Sequence, residues 1–169
     1  DFDHLPIPFR AVATNIVSGE PVVFAQGDLA LAIRSSMSVP AAFAPLRVDG
    51  QLLVDGGIVN NVPADIARAM GADRLIVVDV GATLASENDL NSPFSITMQM
   101  VDVLMKHRTE LVLESMSPDD IKIQPQLGNL GSTSFDRSLE AIPLGEAGAG
   151  LEGGKRRALG GSPGEDARF

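Results

Sequence analysis

The sequence predicts an α/β fold of three layers, with helices on both faces of a mixed, mainly parallel sheet. Three observations predict it. Strand-like and helix-like segments alternate along the chain. The stretch Arg74 to Val80 contains the unbroken apolar run Leu75-Ile76-Val77-Val78, the pattern of a parallel strand buried on both faces. Two hairpin signals, over 9–24 and 46–54, mix the sheet at an edge or add a side hairpin.

The elements follow in order. Residues 9–17 alternate and are rich in Val, Ala and Thr, a strand pattern. Ser18-Gly19-Glu20-Pro21 is a turn, and Val22-Val23-Phe24 returns as a second strand. Asp28 is placed to cap a helix running to Ser36, with Leu29, Ile33 and Met37 on one stripe. Pro40 stops that helix. Asp49-Gly50 between apolar runs is a strong hairpin turn signal. Pro63 opens a short helix over Ala64 to Met70, which Gly71 ends. Ser92-Pro93 forms an N-cap and first-turn pair for a helix reaching Met116. Phe94, Met98, Val101, Met105, Val112 and Met116 fall on one of its faces. Ile121-Lys122-Ile123 is a late strand. A last helix is expected from Phe135 to Ala149, kinked or ended early by Pro143.

The 169 residues are one domain's worth. With 44% hydrophobic and 21% charged residues, the composition is that of a globular chain. Cysteine is absent, which excludes a disulfide scaffold, a thiolate nucleophile and thiolate metal ligands. His4 and His107 are the only histidines, too few for a His-rich zinc site. The net charge of −9 and the single short basic run Lys155-Arg156-Arg157 argue against nucleic-acid binding. The chain starts at Asp1 and reads into a strand within ten residues, so it is expected to begin partway through a domain. Glycines crowd the sequence from Gly145 onward, and a frayed tail is expected after about residue 150.

The informative block is Arg34-Ser35-Ser36-Met37-Ser38-Val39-Pro40, followed by Leu53-Val54-Asp55-Gly56-Gly57 and Asn61-Val62-Pro63. Asp55 ends a strand and opens a glycine turn. A carboxylate there stands at the edge where α/β folds build sites, and Gly56 and Gly57 let backbone approach closely. Asp-Gly is also an ordinary turn pair. The methionines Met98, Met100, Met105 and Met116 read either as adaptable core fillers or as a flexible apolar wall around an acyl chain. Ser35, Ser36 and Ser38 fit capping or packing roles. His4 and His107 are expected at the surface, and Asp79 to hold a loop.

These blocks, with Val12-Ala13-Thr14, Ser18-Gly19-Glu20 and Gly71-Ala72-Asp73-Arg74 at ordered spacing, resemble the bacterial patatin-like phospholipases over roughly residues 5–150. The resemblance implies a three-layer patatin-like sandwich. Residues 1–150 would form the C-terminal portion of the catalytic domain, its N-terminal part missing, and 151–169 a Gly-rich tail. It implies a lipid acyl hydrolase with a Ser–Asp dyad in which Asp55 is the catalytic carboxylate and Gly56 and Gly57 form the supporting loop. No metal or cofactor is implied. The implied partners are a lipid or ester substrate, at a membrane surface, and the upstream half of the same domain. Such a carboxylate, with a reference pKa of about 3.9, accepts a proton only through direct, positioned contact.

The departures are specific. The family's nucleophile, a serine in a Gly-x-Ser-x-Gly elbow upstream of the Asp, has no counterpart before Asp55, nor has its glycine-rich oxyanion loop. This chain alone is therefore expected to be inactive. Asn15 replaces a frequent Asp, and Ala41 a usual Gly. Gly160-Gly161-Ser162-Pro163-Gly164 matches the elbow by letter only. Pro163 has no N–H to offer an oxyanion, and a strand should precede the serine. The alternative is a hydrolase remnant serving as a binding or regulatory module. A nucleotide-binding domain is disfavoured, since no Gly-x-Gly-x-x-Gly follows a strand.

Overall fold

A computed structural model of the chain describes residues 1–151 except Ala82, Asn129, Ser132 and Thr133. The tail expected over 151–169, with the Gly160–Gly164 motif, lies outside the described residues beyond Leu151. The chain divides into two compact units, Asp1–Pro63 with Leu84–Val112, and Ala64–Thr83 with Leu113–Phe169.

In the first unit, strand β1 (Ala11–Asn15) turns back into β2 (Pro21–Phe24), and helix α1 (Leu29–Ser36) follows. Asp28 caps α1, its carboxylate accepting from the Leu31 N–H at 3.0 Å. Strands β3 (Leu46–Val48) and β4 (Gln51–Asp55) form the second hairpin. Asp49 and Gly50 both have positive φ, 49° and 78°, as a two-residue turn of the primed type requires. The four strands make one sheet in the order β2-β1-β4-β3, with Ala13 opposite Asp55 in the β1–β4 register.

This sheet is antiparallel throughout. The α/β class is observed, but the larger sheet is not mainly parallel as expected. The two hairpins are not ornaments on a parallel sheet; they are the sheet, joined by the β1–β4 pairing. A further difference concerns α1. Its expected stripe does not enter the core: Ile33 is 45% exposed, whereas Ala32 and Ser35 are fully buried. Small side chains let the helix settle closely on β1 and β4. Ala32 joins Phe2 and Ala11 in a core cluster, flanked by Leu5, Phe9 and Phe24.

Helix α2 (Gly57–Asn60) continues directly from β4, and α4 (Pro93–Glu114) supplies the later part of this unit, after α3 (Ala64–Ala69) of the second unit. Ser92 caps α4, its Oγ accepting from the Ser95 N–H at 3.1 Å. Met98, Val101, Met105 and Val112 are half-buried on one face of α4 and Thr109 is fully buried, while Phe94 is exposed.

In the second unit, β5 (Ile76–Val78) and β6 (Ile121–Ile123) pair in parallel. The central strand expected from Arg74 to Val80 is shorter than its apolar run, and one-sided. Val77 is buried, while Ile76 is 57% exposed. Among the described residues β5 pairs with β6 alone. Helix α5 (Ser138–Leu151) runs through Pro143, which removes one backbone donor without ending it. Among the described residues no helix is long and apolar enough to cross a membrane.

Candidate active site

Asp55 is the last residue of β4, and its backbone is fixed on both sides. Its N–H donates to the Ser38 carbonyl at 2.9 Å. Its carbonyl accepts from Thr14 Oγ1 of β1 at 2.8 Å. The next N–H, of Gly56, reaches the Ser36 carbonyl at 3.3 Å. The segment leaving α1 therefore brackets the end of β4 through main-chain carbonyls. Its hydroxyls are turned back on the helix: Ser35 Oγ donates to the Leu31 carbonyl and Ser38 Oγ to the Arg34 carbonyl, both at 2.8 Å. Ser35 and Ser38 thus hold the corner in shape, while Ser36 lines the cavity that Asp55 borders.

The two glycines are needed for close approach. A Cβ at Gly56 would overlap the Val12 carbonyl oxygen of β1. A Cβ at Gly57 would overlap the Met105 Cε of α4 and stand 2.6 Å from Asn61 Oδ1. Sheet and helix both close onto this loop to distances that a side chain would prevent.

The Asp55 carboxylate is half-buried. Oδ1 accepts from the Gly57 N–H at 2.7 Å. Among the described residues no donor reaches Oδ2. Burial pushes the carboxyl above its ordinary value of 3.8, and the Gly57 N–H only partly opposes that shift. The group borders a cavity of about 440 Å³ whose walls include Val12, Ile33, Met37, Asn60 and Met105, a size that suits a small ligand. Ile33 of α1, which misses the core, and Met37, the C-cap of α1, are part of this wall.

Asp55, Gly56 and Gly57 are thus brought together at one cavity. The other sequence candidates are not. His4 lies exposed against Asp1 at 3.1 Å, and His107 is exposed on α4. Asp79 belongs to the second unit and accepts from the Gly81 N–H at 3.0 Å and Gln124 Nε2 at 2.6 Å, so it holds a loop. Sequence reasoning missed the Asn61–Thr109 link, where Asn61 Nδ2 donates to Thr109 Oγ1 at 2.8 Å. Its one signal was the position of Thr109, four residues beyond Met105 on the methionine-bearing face. Asp102, half-buried one turn before Met105, was also missed; burial raises its carboxyl pKa. Among the described residues no three His, Asp or Glu side chains gather as a metal site.

Comparison with known proteins bears on this corner. Residues 1–68 match the family model described as patatin-like phospholipase. An NTE family protein of Mycobacterium tuberculosis is 42% identical over 83 residues, 49% of this chain. Human patatin-like phospholipase domain-containing protein 6 is 35% identical over 142 residues, 83% of this chain. Mouse patatin-like phospholipase domain-containing protein 7 is 41% identical over 92 residues, 53% of this chain. The chain spans 23%, 10% and 7% of the lengths of these relatives, respectively. The matched family segment, residues 1–68, contains β1, α1, β4 and the Asp55-Gly56-Gly57 loop, and it is in this segment that the chain is similar to the patatin-like phospholipase family.

Proposed function

We propose that this chain forms part of the catalytic centre of a lipid acyl hydrolase, with Asp55 as the base of a Ser–Asp dyad. The observation that carries this reading is the Asp55 carboxylate: half-buried, anchored through Oδ1 alone, and bordering a cavity whose mixed walls include the apolar side chains of Val12, Ile33, Met37 and Met105. Supporting it are the family match and the phospholipase names of the mammalian relatives. The nucleophile in this reading is a serine outside the 169 residues, on the upstream half of the same domain, because no serine before Asp55 sits in a Gly-x-Ser-x-Gly elbow. The substrate is a lipid or simpler carboxylic ester.

The chemistry requires Asp55 to relay a proton in each of two half-reactions. Oδ2 takes the serine hydroxyl proton as the serine oxygen attacks the ester carbonyl, and backbone N–H groups of the upstream half stabilise the oxyanion. The protonated carboxyl then gives that proton to the departing alcohol, leaving an acyl-serine. Water attacks the acyl-serine, Oδ2 takes its proton, and the proton returns to the serine as the fatty acid leaves. A carboxylate of ordinary acidity is a weak base for this work. Burial of Asp55 strengthens it in the required direction, since the ionised form is poorly solvated.

The test is Asp55→Asn in the full-length protein, with hydrolysis of a soluble ester as the readout. Asparagine keeps an acceptor for the Gly57 N–H and removes the base. The expected result is a loss of kcat/KM of at least about a hundredfold, with an unchanged fold by circular dichroism. Hydrolysis surviving in Asp55→Asn would remove Asp55 from the mechanism. A full-length protein that binds fatty acid without turnover would favour the binding-module alternative.

A further inference from the structure

We propose that α4 selects the acyl chain presented to Asp55, with Met105 as the specificity-determining side chain and the Asn61–Thr109 hydrogen bond as the link that positions it. This rests on the hydrolase reading and narrows its substrate class to acyl esters discriminated by chain length. The Met105 methyl lies against Gly57, in space that a Cβ there would claim. Gly57 is the residue whose N–H holds Asp55 Oδ1. The tip of Met105 therefore stands beside the anchor of the proposed base, and Met105 also lines the cavity. Ile33 of α1 and Met37 at its C-cap are further apolar walls of the same space.

The position of Met105 is fixed one helical turn further on. Thr109 is 4% exposed, and its hydroxyl receives the Asn61 amide at 2.8 Å. The other atom of that amide, Oδ1, stands close to Gly57. Asn61 thus touches the Asp55–Gly57 loop with one end and ties α4 with the other. Residues 105 and 109 lie on the same helix face, so this bond sets how far Met105 reaches into the cavity. An unbranched thioether adapts to a chain threading past it and blocks one too long to clear it.

The experiment measures kcat/KM of the full-length protein on p-nitrophenyl butyrate, octanoate and palmitate. Met105→Ala should raise the palmitate-to-butyrate ratio by on the order of tenfold, and Met105→Phe should lower it. The opposed pair keeps the test sharp should one variant fold poorly. Thr109→Val, which keeps the shape and loses the hydroxyl, should shift the ratio, and Thr109→Ser should keep the original ratio. A packing role alone would not be satisfied by serine. An active protein whose ratio is the same in both Met105 variants overturns this inference and leaves the hydrolase reading standing. Absence of ester hydrolysis by the unsubstituted full-length protein overturns both.

Discussion

The two units each hold an aspartate at the heart of a loop junction, and the two are treated in opposite ways. Asp120 of the second unit has a side chain only 1% exposed. Desolvation alone would raise its pKa. The N–H groups of Leu75 and Ser117, at 2.8 Å each, and the Arg68 guanidinium at 2.7 Å outweigh that cost and hold the carboxyl below its ordinary range. Asp55 of the first unit has one N–H donor, and its carboxyl is raised. A carboxylate surrounded by donors is a structural clamp. One that is desolvated and left with a free oxygen gives up stability and gains basicity.

The sharpest way to break this comparison is to remove each carboxylate in turn. Asp120→Ala leaves the buried Leu75 N–H without its acceptor and removes the partner of the Ser117 N–H and of Arg68, and should cost about 3 kcal/mol of unfolding free energy. Asp55→Asn should act in the opposite direction at neutral pH and raise the thermal midpoint. The signs follow from linkage. A lowered folded pKa contributes stability above the ordinary value near 3.8, lost as pH falls through the folded one; a raised folded pKa contributes stability only at low pH, lost as pH rises through it. Equal losses in both variants, measured by thermal denaturation at neutral pH, would erase the distinction.

The next effect concerns the loop that carries Asp55. Gly56→Ala forces a methyl onto the Val12 carbonyl and should cost about 2 kcal/mol. Urea denaturation of the variant checks this; a cost near zero would mean that β1 and the loop separate freely. The smallest effect has the reverse sign. Ala41 occupies the left-handed region at φ 69°, which glycine adopts without a Cβ penalty. Ala41→Gly should therefore stabilise by about 0.5–1 kcal/mol, seen as a higher urea midpoint.

Features set by neighbouring residues were legible in the sequence. Asp28 caps α1, Asp49-Gly50 makes the hairpin turn, and Ser92-Pro93 starts α4, because each depends on chemistry within a few positions. The Asp55-Gly56-Gly57 corner was legible through its motif. Sheet direction was not, because β1 and β4 pair across the 41 positions that separate Thr14 from Asp55, a stretch holding β2, α1 and β3, and periodicity carries no information on pairing. The buried face of α1 was misjudged because close packing on the sheet favoured Ala32 and Ser35 over larger apolar neighbours. The Asn61–Thr109 bond spans 48 positions and joins two residue types that are ordinary in loops and helices.

The most direct test of the poised-base claim is to titrate Asp55 itself and compare it with catalysis. The carboxyl resonance of Asp55 would be followed by NMR in the full-length protein, and kcat/KM for ester hydrolysis measured across the same pH range. The expected result is one shared midpoint, above the ordinary aspartate value of 3.8, with activity rising as Asp55 ionises. Full activity at a pH where Asp55 is still protonated would contradict it.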